Sequence, residues 1–72
     1  MVRYLFHVMS DGHAYRDEVG RRFAKPEDAK AHALTVAREL AMDGHAYQGF
    51  AVCVIDDRGN EVARVTVSKD VS

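Results

Sequence analysis

Apolar and polar positions alternate over residues 2–9. Tyr4, Phe6 and Val8 point one way and Leu5, His7 and Met9 the other, the period of a strand built from β-prone side chains. Ser10-Asp11-Gly12 supplies turn chemistry, so the chain reverses there. The return is less regular. Residues 14–16 can pair, Asp17-Glu18-Val19-Gly20 reads as a second turn with Gly at its last position, and residues 21–23 resume. A broken or bulged second strand is expected.

Over residues 26–43 the period becomes helical, with Ala29, Ala33, Val36, Ala37 and Leu40 forming one apolar stripe. Pro26 suits the first helical position, where its missing N–H needs no partner. Glu27 and Asp28 oppose the positive end of the helix dipole, and Gly44 is a natural stop. Lys30, His32, Thr35, Arg38 and Glu39 lie away from the centre of the stripe. After a loop to Gly49, residues 50–55 read as a near-continuous apolar strand, with Phe50, Val52 and Val54 on one face and Ala51, Cys53 and Ile55 on the other. Asp56-Asp57-Arg58-Gly59-Asn60 makes a hairpin. Residues 61–67 return with Ala63, Val65 and Val67 opposite Val62, Arg64 and Thr66, and residues 68–72 read as a frayed tail.

The order β-β-α-β-β predicts an α+β fold: a four-stranded antiparallel sheet of spatial order 2-1-3-4 with the helix on one face. The alternative order 2-1-4-3 needs a parallel central pair, and connectivity and handedness favour the first.

These residues carry a resemblance. Arg3-Tyr4-Leu5-Phe6-His7-Val8, the Asp11-Gly12 turn, Asp17-Glu18-Val19-Gly20, the alanine-rich helix with Ala29, Ala33, Ala37 and Leu40, and the Val54-Ile55-Asp56-Asp57-Arg58-Gly59 hairpin run over nearly the whole chain. Together they resemble a family of short bacterial proteins (family 6894), a domain of unknown function whose members often open with Arg-Tyr-Phe-Phe-His-Val. Val2 stands where that family often has Pro, and Leu5 where Phe is common. The resemblance implies no activity, and no catalytic residues carry over from it.

At 72 residues the chain holds one domain, 1–72, which buries roughly 60% of its surface and is marginal alone. Cys53 is its only cysteine, so no disulfide can form within it, and a metal or a second copy of the chain is left as added support. Met1-Val2-Arg3-Tyr4 enters the alternating pattern with no long apolar run behind a basic flank. The expectation is therefore a chain with no signal peptide and no membrane span, in a reducing cytoplasm. Ten basic and eleven acidic residues leave a formal charge of −1, which supplies no global pull toward nucleic acid or anionic lipid.

The candidate chemistry is thin. His7, His13, His32 and His45 show no close ligand spacing, so neither a metal nor any other cofactor is expected. Asp11-Gly12-His13-Ala14-Tyr15 recurs as Asp43-Gly44-His45-Ala46-Tyr47. Turn and helix-stop chemistry accounts for Asp-Gly in both places but not for the shared His-Ala-Tyr. Arg16, Arg21, Arg22 and Lys25 form a basic edge diluted by Asp17 and Glu18, a candidate for nucleic-acid contact with Tyr15 or Phe23 to stack. There is no Gly-rich phosphate loop and no G-x-S-x-G elbow. Asp56 and Asp57 suit turn amides better than proton sharing, and Cys53 in a strand suits an inert apolar role.

The helix covers one face of the sheet only. Leu5, His7, Ala51, Cys53, Ile55 and Val62 gather on the other, with Arg3, Arg64 and Thr66 interspersed, where a water-facing sheet would be mostly polar. The expected function is a small non-enzymatic interaction module that uses Leu5, His7, Cys53, Ile55 and Val62 to form a homodimer or to bind an unidentified protein partner. The alternative is a nucleic-acid-binding or antitoxin-like regulatory module on the Arg16, Arg21, Arg22 and Lys25 edge.

Overall fold

A computed structural model describes residues 1–10, 12–42 and 47–67. The expectations for Asp11, for Gly44 and most of the second Asp-Gly-His-Ala-Tyr copy, and for the tail at 68–72 lie outside the described residues. The fold is built on the alternating stretch at the start of the chain. Strand β1, Val2–Ser10, has nine residues, enough to pair along both of its edges. On one side lies β4, Ala51–Ile55, antiparallel to it with Leu5 opposite Ile55 and His7 opposite Cys53. Strand β5, Glu61–Thr66, continues the sheet beyond β4. On its other side β1 meets two short pieces, β2, His13–Tyr15, and β3, Arg21–Phe23.

The second strand is thus broken, as its irregular pattern predicted. β2 pairs with Val8, Met9 and Ser10, and β3 with Val2, Arg3 and Tyr4. The resulting order, β2-β1-β4-β5 with β3 also on β1, is the 2-1-3-4 arrangement with its second strand in two parts.

Helix α1, Pro26–Ala41, starts with Pro26 after an extended Lys25, whose carbonyl accepts from the amides of Asp28 and Ala29. Ala29, Ala33 and Ala37 are fully buried or nearly so, one above the other on the face that meets the sheet. Small side chains there let the helix approach closely, and the larger Tyr4, Phe6, Val52 and Val54 fill the space from the sheet side. Val36 and Leu40 are half-buried at the margin of this stripe. His32, expected away from the core, is half-buried as well, its ring 4.8 Å from that of Phe6 and 5.6 Å from that of Phe23.

The hairpin after β4 closes as its composition implied. Asp56 Oδ1 accepts from the amides of Arg58 (2.9 Å) and Asn60 (2.8 Å), which hold its carboxyl below the usual carboxylate range, and Gly59 takes φ of 86°. Between Val54 and Ile55 the register shifts, so that Val54 faces Ala63 but Ile55 faces Glu61. This bulge gives β5 one extra residue, Val62.

Candidate functional site

Pairing register decides what the uncovered face of the sheet carries. Leu5, His7 and Met9 of β1 share that face with Ala51, Cys53 and Ile55 of β4, with Arg64 and Thr66 of β5, and with Arg22 of β3 opposite Arg3. Helix α1 packs on the other side, against the face that carries Tyr4, Phe6, Val52 and Val54. Among the candidate residues Leu5, His7 and Ile55 are half-buried, and Val62 is 42% exposed. Met9, at 41%, extends the apolar strip toward Ala51.

Cys53 departs from the expectation. It occupies this face but is only 1% exposed, because His7 and Arg64 flank it in register and the Glu61–Arg64 ion pair stands beside it. Burial pushes its thiol up, and the neighbouring Glu61 acts in the same direction. A protonated, enclosed thiol is a poor nucleophile and offers no surface to a partner. The ion pair itself is short, 2.9 Å from Arg64 Nη2 to Glu61 Oε1, and exposed, so it adds little to stability.

The basic edge is divided between two faces of the sheet. Successive strand residues point to opposite sides, so Arg22 joins Arg3 on the open face whereas Arg21, opposite the buried Tyr4, turns to the helix side. There the positive charge of Arg21 adds to burial in pushing the His32 imidazole down. Lys25 precedes the helix, and Arg16 lies beside Arg3, Leu5 and His7 in a shallow depression of about 200 Å³. Arg16, Arg21, Arg22 and Lys25 are all exposed, but they do not form one patch. The aromatic residues expected to stack with a base lie on the helix-facing side: Tyr15 is opposite Val8, and Phe23 opposite Val2.

Asp17 proves the most heavily used polar side chain. Where β2 stops and β3 has not begun, the Phe6 amide has no strand partner, and Asp17 Oδ2 accepts from it at 3.1 Å. Oδ1 of the same carboxylate accepts from the amides of Val19 and Gly20, each at 3.0 Å, while the Asp17 amide donates to His7 Nδ1 at 3.0 Å. Burial raises the carboxyl, but the amides of Gly20, Phe6 and Val19 and the nearby His7 together take it below its ordinary value. The turn was legible from Asp17 and Gly20. Its reach back to Phe6, eleven residues earlier, had no local signal.

The last residues of the two pentapeptide copies, Tyr15 and Tyr47, meet in the fold. Tyr15 from the first copy and Tyr47 from the second lie 6.3 Å apart in an edge-on contact, and Phe50 packs against both. His13 stacks on Phe50 at 6.5 Å. Sequence spacing separates the two tyrosines by a helix and two turns, and only the fold brings them into one aromatic cluster.

Among the described residues, no group of three or more His, Cys, Asp or Glu side chains gathers as a metal site, and no helix is long and apolar enough to cross a membrane. His7 and His32 sit on opposite faces of the sheet.

The family model described as Domain of unknown function (DUF6894) matches residues 3–68. Comparison with curated proteins and with solved structures gives no match.

Proposed function

The chain belongs to the DUF6894 family, a domain of unknown function, and from that premise we propose that it is a non-enzymatic protein-interaction module working through the open face of its sheet. One observation carries this reading. Leu5, Met9, Ala51 and Ile55 are apolar positions on the sheet face opposite helix α1, which no other described helix or strand covers. An antiparallel sheet with one face in water alternates toward polar residues on that face; here His7 and Arg64 supply them in the middle row, and the rows on either side, Leu5–Ile55 and Met9–Ala51, are apolar. Covering such a strip removes apolar surface from water at roughly 25 cal/mol per Å², a useful gain for a domain this small.

Ile55 lies opposite Leu5 in the apolar row at one end of this face, and its replacement by Lys places a charge there without touching the core. The purified chain, its Ile55→Lys variant and a Thr35→Lys control on the exposed helix face serve as baits in parallel captures from the native cell extract. Size exclusion with light scattering over a tenfold range of concentration then reports self-association. The reading expects a captured protein or a dimer that survives Thr35→Lys and disappears with Ile55→Lys. It is refuted by association indifferent to Ile55→Lys, or by a monomer whose captured set does not change between wild type and that variant.

A further inference from the structure

The stretch from Asp17 to Phe23 is held at each end by a histidine, one from either face of the sheet. On the open face the Asp17 amide donates to His7 Nδ1 at 3.0 Å. An amide can only donate, so Nδ1 carries no proton and the proton of the neutral ring is on Nε2. On the helix side the His32 ring lies 4.8 Å from that of Phe6 and 5.6 Å from that of Phe23. Phe23 in turn packs on Phe6 at 6.1 Å and on Tyr4 at 6.3 Å. The rest of the attachment is slight. β3 meets β1 over three residues, with Arg22 opposite Arg3, and like charges so placed weaken a pair. Glu18, Val19, Arg21 and Arg22 are exposed, while Asp17, Gly20 and Phe23 are half-buried. A segment with so few buried contacts belongs to the low end of local stability.

We propose that residues 17–23 form an acid-released flap, whose two ends are held by neutral His7 and neutral His32 and come free, ahead of the rest of the sheet, as these take up protons. For His7 the reason is a count of lone pairs. Imidazolium has two N–H donors and no acceptor, so Nδ1–H confronts the Asp17 N–H and the bond is lost. Arg3, Arg16, Asp17 and Glu18 lie around the same depression, and Arg64 and Glu61 stand beyond Cys53. A turn of the charged ring toward either Asp17 or Glu18 also gives up the amide. For His32 the facing charges are Arg21 of β3, Glu39 of its own helix and Asp17, with Asp28 one turn earlier on α1. Burial and Arg21 outweigh the carboxylates and hold the imidazole down. Release takes the strand partner from Val2, Arg3 and Tyr4 and, as Asp17 leaves, the acceptor from the Phe6 amide. This device works whether or not the open face binds a protein.

Amide hydrogen exchange on the full chain, corrected for its intrinsic dependence on pH, reads the opening. From about pH 8 to about pH 5, where histidines titrate, protection at Asp17, Gly20 and β3 is expected to fall at least about tenfold relative to β4. His7→Gln keeps an acceptor oxygen without the titration, and His32→Leu removes the second group, so the double variant should hold that ratio constant. Circular dichroism checks its fold. If the double variant does not fold, the single variants decide: His7→Gln should spare the Asp17 end and His32→Leu the Phe23 end. Imidazole nitrogen chemical shifts of the wild type near neutral pH need no variant, and should show His7 bare at Nδ1 and protonated at Nε2. A loss of protection in step with β4, no loss, the same relative loss in the variants, or a protonated Nδ1 at neutral pH overturns the proposal.

Discussion

Replacing Asp17 by Ala tests whether one carboxylate holds the gap in the second strand. The substitution strips acceptors from three amides at once. The Val19 amide is exposed, and water can replace its partner at little cost. Those of Phe6 and Gly20 are partly buried, at 3.1 and 3.0 Å from the carboxylate. A hydrogen bond to a charged group contributes about 1.5–3 kcal/mol, and the half-exposed setting of Asp17 favours the low end. Two such bonds make a loss of about 3 kcal/mol, comparable with the roughly 3–5 kcal/mol that a domain of this size has in total. Asp17→Asn is gentler. Its oxygen can still accept from Val19 and Gly20, while its NH2 confronts the Phe6 N–H, so about half the loss is expected. Because the folded carboxyl lies below its ordinary value of 3.8, the stability it confers is present above that pH and is lost as pH falls through the lower folded value. Guanidinium unfolding followed by circular dichroism should therefore rank wild type above Asn above Ala near neutral pH, with the wild-type advantage over Asn shrinking as pH falls through the folded value and the Asn–Ala difference unchanged by this group. An Ala variant within about 0.5 kcal/mol of wild type at neutral pH, or a wild-type advantage over Asn that does not shrink in acid, refutes the account.

Three further outcomes follow from the same packing. Gly20→Ala should be severely destabilising in a thermal melt, since the residue has φ of 74° and an added Cβ would lie 2.7 Å from the Tyr4 carbonyl oxygen and 2.9 Å from Leu5 Cδ2. Ala33→Leu should cost at least about 1–3 kcal/mol by overpacking a fully buried contact, more than Leu40→Ala, whose half-buried side chain places it at or below the low end of about 2–5 kcal/mol; chemical denaturation gives the order directly. Burial, helped by Arg21, holds His32 below its ordinary value of 6.5, so folding stability should fall as pH drops through 6.5 toward the lower folded value, and His32→Leu should flatten that slope in melts taken between neutral and mildly acidic pH.

Much of the fold is legible in the order of residues because its rules are local. Alternation in Val2–Ser10 and in Ala51–Ile55, the alanine stripe of the helix and the Asp56 hairpin each express a period or a turn within a few neighbours. Even the break in the second strand shows, since Asp17-Glu18-Val19-Gly20 cannot continue a ladder. The membership of the open face was readable too, because strand parity assigns it. Exposure was not: Cys53 has the same parity as Ile55 yet is enclosed, since its cross-strand neighbours are His7 and Arg64 and the bulge at Ile55 brings Glu61 alongside.

The sequence by itself determined which elements form, their order and which side chains each strand turns to either face. These properties depend on a two-residue or a 3.6-residue period and on turn residues close at hand. Tertiary structure alone decided the long-range pairings. It joined Asp17 to Phe6, Tyr15 to Tyr47 and His32 to two phenylalanines. Each depends on strand register and on where the helix lies across the sheet, and register is fixed by summing burial over the whole core rather than by any single segment.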